Sequence, residues 1–192
     1  MDKIWLRRYP LGVPADISLD ERATLLAVFH DSCKRFATRP AFHNWGATLT
    51  YAELERLTRD FAACLQAQNL RKGDRIAIMS PNLLQYPIAL FGALRAGLTV
   101  VNTNPLYTPR ELEHQLKDSG AVAIVVLANF AHVLEKVIAR TQVRTVFVTQ
   151  LGDMLPFPKG VVINWAARRL KKLVPEYHIE GAFRFREALE SG

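Results

Sequence analysis

The chain has 192 residues, 49% of them hydrophobic and 22% charged, with 25 Lys and Arg against 18 Asp and Glu for a formal net charge of +7. These are globular proportions, sufficient for one sizeable core, and they exclude a disordered or fibrous chain. The basic balance permits phosphate, nucleic-acid or anionic-membrane partners without selecting among them.

Cys33 and Cys64 fall in expected helices and form no Cys-x-x-Cys pair, the usage of buried thiols in a reducing compartment. The basic residues near the start are followed by no apolar run of the secretory type. No stretch of about 18 apolar residues is present to span a membrane as a helix. A cytoplasmic protein is expected.

Pro10, Gly12 and Pro14 make residues 1–17 an irregular arm, which Trp5 and Tyr9 are expected to pin to the body. Ser18 and Glu21 have capping-box spacing and open an expected helix over residues 18–37, with Leu25, Leu26, Val28, Phe29 and Phe36 as apolar positions. Arg39-Pro40 stops it. Residues 41–43 and 48–49 predict a hairpin around Asn44-Trp45-Gly46. Thr50 and Glu53 form a second box, for a helix over residues 51–67 that buries Leu54, Leu57, Phe61, Cys64 and Leu65. Asn69 suits a left-handed helix end, and Lys72-Gly73-Asp74 a turn.

Residues 76–79 are a continuous apolar run, as in a parallel strand covered on both faces. Asn82 and Gln85 are expected to box the start of a helix over residues 83–96, apolar nearly all round and closed by Gly97. Residues 98–101 predict another buried strand. Thr108, Pro109 and Glu111 combine cap, first-turn proline and box glutamate for a helix ending at Ser119-Gly120. Strands over 122–127 and 145–149 enclose a helix over 130–140. Strand and helix alternating through short connections imply right-handed crossovers. The fold class is therefore α/β, a mostly parallel β-sheet flanked by helices. Three segments are expected: an arm over 1–17, an α/β scaffold over 18–150, and a linker with a basic amphipathic helix over 151–192, incomplete at its C-terminal end.

In an open α/β sheet ligands sit beyond the C-terminal strand ends, here Ser80 to Asn82, Asn102 to Tyr107, Ala128 to Asn129 and Thr149 to Asp153. Neither GxGxxG nor GxxxxGK[ST] occurs, so no phosphate loop is present. Ser80 and Asn82 fit helix caps better than ligand contacts. His30, His43, His114, His132 and His178 and the cysteines lack zinc-site spacing, and His114 with Asp118 suits a surface pair. There is no GxSxG, and Glu111 and Glu113 do not make an acid/base pair. Tyr107 either lines a pocket or joins Leu106 in an apolar staple on the helix that Thr108 caps. No catalytic, cofactor-binding or metal residue is assigned.

Residues 159–174 carry five bases and no acid. A helix over 161–174 places Val162, Ile163, Ala166, Ala167, Leu170, Leu173 and Val174 on one face, with Arg168, Arg169, Lys171 and Lys172 opposite and Trp165 among the bases. That composition suits either a docked helix with a solvated basic face or a helix lying in an anionic membrane interface. With no base-reading motif, nucleic acid is not expected as a partner.

Thr50-Tyr51-x-Glu53-Leu54, Lys72-Gly73-Asp74, Ser80-Pro81-Asn82, Gly92-Ala93-Leu94-x-Ala96-Gly97, Asn104-Pro105-x-Tyr107-Thr108-x-x-Glu111-Leu112 and Asp118-Ser119-Gly120-Ala121 follow one another in order. Together they resemble the N-terminal part of acyl-CoA synthetases of the adenylate-forming superfamily, most of all bacterial long-chain fatty-acid–CoA ligases. Asn69, where the family often has glycine, and Asn102, where it often has proline, depart from the pattern. The resemblance implies the N-terminal portion of the adenylate-forming enzyme fold. It implies an enzyme that uses ATP and Mg2+ to convert a fatty acid to an acyl-adenylate, then transfers the acyl group to coenzyme A. The family's phosphate loop, adenine motif, ribose-binding aspartate and catalytic lysine lie downstream of these residues, and none maps onto this chain. The fragment alone is expected to be inactive. Peripheral contact with the inner face of the cell membrane and a homodimer are compatible with it. The alternative is a non-catalytic membrane- or partner-binding module acting through the basic helix.

Overall fold

The computed structural model describes residues 2–17 and 24–190. The capping box expected at Ser18 and Glu21 lies outside them. The arm contains one short helical turn, Ile4–Arg8, with no buried residue. Trp5 and Tyr9 do not pin it to the body, being 50% and 42% exposed.

Helix α1 (Leu25–Arg35) is capped by Thr24, whose hydroxyl accepts from the Ala27 amide at 3.0 Å. Strands β1 (Pro40–Asn44) and β2 (Ala47–Thr50) form the expected hairpin, antiparallel, with Trp45 and Gly46 at positive φ in the turn. Helix α2 (Tyr51–Ala67) opens on the Thr50–Glu53 box and buries the five predicted positions together with Thr58 and Ala62. Asn69 is left-handed at φ 58°.

Five parallel strands make the main sheet: β3 (Arg75–Met79), β4 (Thr99–Asn102), β5 (Ala123–Leu127), β6 (Thr145–Thr149) and β7 (Phe183–Arg184), in the order β4-β3-β5-β6-β7. Strand period two divides the core into two layers. Ile76, Ile78, Val125 and Phe147 face α2, α3 (Gln85–Arg95) and α7 (Phe185–Glu190). Ala77, Met79, Ile124, Val126 and Val148 face α4 (Pro109–Ser119) and α5 (Ala131–Glu135). Phe61 is fully buried where α2 meets the sheet, its ring 5.3 Å from Phe147 and 4.9 Å from Phe185.

Six expectations change. β4 is not buried on both faces but is the sheet's edge strand, with Thr99 and Asn102 exposed. The Asn82–Gln85 box does not form; α3 begins at Gln85 without a side-chain cap, because the Gln85 amide is buried and donates to the Gln150 carbonyl at 2.7 Å. The helix over 130–140 is broken into α5 and a turn Ile138–Arg140, the chain leaving helical φ at the fully buried Val137. The stretch after Gln150 is not linker-like: Met154 and Leu155 pack on the core, and Gly152 and Gly160 meet face to face. The basic helix starts at Lys159 rather than 161, runs as α6 (Lys159–Trp165) and ends in a π turn, Ala166–Leu170. Residues 183–190, for which no element is predicted, supply β7 and α7, and Phe185 and Leu189 complete the layer under α2.

Candidate functional site

The strand order reverses at β3, which β4 joins on one side and β5 on the other. In open α/β sheets the ligand crevice lies outside the carboxyl ends at such a reversal. The sequence-predicted residues do collect along this edge, but as hydrogen-bonded groups at the individual strand ends.

The first is at β3. Ser80 is buried and donates to the Pro81 carbonyl at 3.0 Å, and the Asn82 carbonyl accepts from the Asn44 amide at 3.1 Å, tying the hairpin to the loop. Neither side chain caps α3. The second is at β4. Asn102 Oδ1 accepts from the Tyr86 hydroxyl at 2.9 Å, and its carbonyl accepts from Gln115 Nε2 at 3.0 Å. Asn104 Oδ1 accepts from the Leu106 amide, closing an Asx turn that leads to the Thr108–Glu111 box. Tyr107 is half-buried against the cluster containing Leu112, which is the staple position, whereas Leu106 is 78% exposed and takes no part. At β5, Asn129 Nδ2 donates to the Leu173 carbonyl at 3.0 Å and so holds the end of the basic segment.

The third group is at β6, around Asp153. Its Oδ2 accepts from the Thr149 hydroxyl at 3.0 Å and the Gln150 amide at 2.7 Å, and its Oδ1 from Asn164 Nδ2 at 3.2 Å. Asn164 Oδ1 in turn accepts from the Gly152 amide at 2.7 Å. Burial pushes the Asp153 carboxyl above its ordinary range, partly offset by these hydrogen bonds. Asn164, Tyr86 and Gln115 carry no signal in the sequence, since each acts on a partner more than ten residues away, and the capping signal at Gln85 points to the wrong partner. Asp153 has one, an acid shortly after a strand end, positioned to close a turn on Gln150.

A cleft of about 580 Å³ opens beside Asp153, between the hairpin, α2, α6 and α7, lined by Arg56, Met154, Leu155 and Arg186 among others. Among the described residues, no three His, Cys, Asp or Glu side chains group to hold a metal ion. Cys33 is buried among charges: its thiol is pushed up to about 11 by burial and by Glu55. Burial also raises the Glu55 carboxyl, but Arg95, His30 and Cys33 together bring it below its usual range. This cluster clasps α1 to α2 and α3, with Arg95 Nη2 2.7 Å from Glu55.

A family model described as AMP-binding enzyme matches residues 29–178. The chain belongs to the AMP-binding enzyme family. It is 55% identical over its whole length to a long-chain-fatty-acid–CoA ligase of Yersinia pestis, of which it covers 34%. Among solved structures, the long-chain-fatty-acid–CoA ligase of Archaeoglobus fulgidus is 26% identical with a TM-score of 0.64, over 73% of this chain and 30% of that one. The luciferase-like enzyme of the Zophobas morio mealworm shares the fold at a TM-score of 0.70 with 16% identity, over 91% of this chain and 36% of that one. The chain thus spans about a third of the length of the curated relatives it matches. The family match takes in the basic segment, which is therefore part of the family unit rather than a separate module.

Proposed function

We propose that this chain is the scaffold of an AMP-forming long-chain fatty-acid–CoA ligase. The observation that carries the reading is 55% identity across the whole chain to the Yersinia pestis ligase. In that reaction a fatty-acid carboxylate joins the α-phosphate of ATP with release of pyrophosphate, and the coenzyme A thiol then displaces AMP from the acyl carbonyl. The family's ATP, Mg2+ and coenzyme A are assigned to sequence outside these 192 residues, because the relatives are about three times longer.

The chain's own part is to hold the loops at the carboxyl edge of the sheet. Gln85 and Asp153 lock the β3 and β6 ends to one another, and Tyr86 and Gln115 lock Asn102. The loop over 102–107, exposed at Asn102, Asn104 and Leu106, is where this scaffold meets substrate or the rest of the enzyme.

The test joins residues 1–192 to the remaining two-thirds of the Yersinia pestis relative and measures AMP release from ATP with and without a long-chain fatty acid. Acid-dependent release by the joined polypeptide, and none by the 192-residue chain alone, is expected. A folded joined polypeptide without acid-dependent release overturns the ligase reading. Release by the short chain overturns the assignment of the nucleotide chemistry elsewhere.

A further inference from the structure

The β1–β2 turn holds a residue that its backbone disfavours. Asn44 pairs with Ala47, so Trp45 and Gly46 alone form the loop, at φ 50° and 76°. Positive φ at both central residues is the type I′ geometry, which favours Asn-Gly. Asparagine and glycine enter the left-handed region readily, whereas a bulky side chain there is an outlier. Packing does not explain the tryptophan, since Trp45 is 49% exposed. Its carbonyl accepts from the Lys159 ammonium, a contact that any residue could make through its backbone. An outlier of this kind points to a role outside the local fold.

The turn borders the cleft of about 580 Å³ beside Asp153, which Gly46 lines. Leu49, Leu57 and Leu189 are its buried apolar lining, and Phe157 and Val161 line it while 86% and 56% exposed. Its charged groups are engaged within the chain. Glu53 accepts from the Thr50 amide and hydroxyl, Arg56 pairs with Asp60 at 2.8 Å and Arg186 with Glu190 at 3.5 Å, and Asp153 is held by Thr149, Gln150 and Asn164. An ionic ligand would have to displace one of these pairs, whereas an apolar protein segment would not.

We infer that this cleft, with Trp45 and Phe157 at its rim, seats the polypeptide that follows α7 in a full-length ligase. Aromatic anchors beside an apolar pocket, with charge kept out of its centre, are the anatomy of a protein contact. The relatives that this chain matches are about three times its length. Leu189 and Glu190, at the end of α7, stand in the cleft wall, so the chain that continues from them is delivered to this place. Met154 and Leu155 follow Asp153 directly and line the same cleft, so a seated segment bears on the β6 loop from outside. The identity of the occupant rests on the ligase reading; the exposed aromatic rim does not.

The experiment compares hydroxyl-radical oxidation, read residue by residue by mass spectrometry, in the 192-residue chain and in the joined ligase-length polypeptide. Taking Trp45 from 49% exposure to the near-complete desolvation of an interface anchor should slow its oxidation roughly fivefold in the joined polypeptide, with Phe157 slowed alongside it. Trp45→Asn should leave the urea midpoint of the 192-residue chain unchanged or raised, since asparagine suits the turn, and should return Phe157 in the joined polypeptide towards its rate in the short chain. Equal oxidation of Trp45 in the two polypeptides overturns the inference. A lowered midpoint for the short Trp45→Asn chain also overturns it, because the indole is then packing within the chain. So does protection of Trp45 that grows with the concentration of the short chain, because the occupant is then a second copy. Equal slowing at Leu25, 61% exposed on α1 and outside the cleft, overturns it as well, since the protection is then general. Acid-dependent AMP release with Trp45 still oxidised at its short-chain rate refutes only this inference, and protection of Trp45 without release refutes only the ligase reading.

Discussion

Gly152 and Gly160 offer the sharpest test of how α6 is seated. A β-carbon on either would come within 3.0 Å of the other's carbonyl oxygen, and one on Gly152 would also sit 2.9 Å from Asn164 Oδ1. Neither glycine is at positive φ, so the constraint is space and not backbone conformation. Alanine at either site has two opposed effects. It narrows the unfolded ensemble, stabilising by about 0.4–1 kcal/mol. It also forces the two backbones apart, and overpacking of this kind costs about 1–3 kcal/mol. A net loss of about 1–2 kcal/mol is expected for Gly152→Ala and for Gly160→Ala. One displacement relieves both clashes, so the double variant should cost less than the sum of the singles. Urea unfolding of the 192-residue chain reads this as a shift in midpoint at constant slope. An unchanged midpoint for either single variant, or strict additivity in the double, would refute the direct contact of the two backbones.

Phe61→Ala should cost about 3–5 kcal/mol in the same unfolding assay, since the ring is fully buried between Phe147 and Phe185. Thr50→Ala should cost about 1 kcal/mol, losing the hydroxyl that accepts from the Glu53 amide at 3.2 Å. Cys33, with its thiol pushed up to about 11, should resist iodoacetamide at neutral pH and react once the chain is unfolded in urea; rapid labelling of the native chain, read by mass spectrometry, would contradict its burial. The raised Asp153 carboxyl favours the protonated form in the folded state, so its contribution to stability is present below the unfolded carboxyl pKa of about 3.9 and is lost as pH rises through the raised value. Asp153→Asn should remove that part of the pH dependence of the unfolding midpoint, and an unchanged pH profile would show that the group is not desolvated.

What the sequence makes legible is what is decided locally. The Thr50 and Thr108 boxes, the Asn69 turn and the β6 run each depend on residues within a few positions of one another, and all appear in the structure. The start of α3 is not legible, because its decisive contact joins Gln85 to Gln150 across 65 residues. β7 escapes notice because two residues have no periodicity; they become a strand only by pairing with Phe147 and Val148. A helical wheel of the basic segment assumes that the apolar face packs inward. Here glycine and alanine pack inward, since only they fit so close to the β6–α6 connection, and Val162, Leu170 and Leu173 are left outside. At the strand ends the sequence locates the right loops but cannot show their polar groups pairing with distant partners.

Those pairings bear on what the chain can do. A side chain that is to bind or react must be available to a ligand, yet at this edge most of the named polar groups are engaged within the chain, Gln115 Oε1 and Asn129 Oδ1 being buried without a partner. Asp153 accepts three hydrogen bonds, Asn102 accepts through both its side chain and its carbonyl, and Gln85 is buried on the Gln150 carbonyl. Exchanging such a bond for one to a ligand leaves a desolvated donor or acceptor behind, at about 1–3 kcal/mol. These groups therefore act by fixing positions: they set the height of the β3, β4 and β6 loops and leave chemistry to groups brought to them. Asn164 extends the same logic outward. One amide joins the end of β6, through Asp153, to the helix that carries the exposed Trp165 and its neighbouring arginines. The edge of the sheet and the exposed face of α6 are thus held in register by Asn164 at β6 and by Asn129, which holds Leu173, at β5.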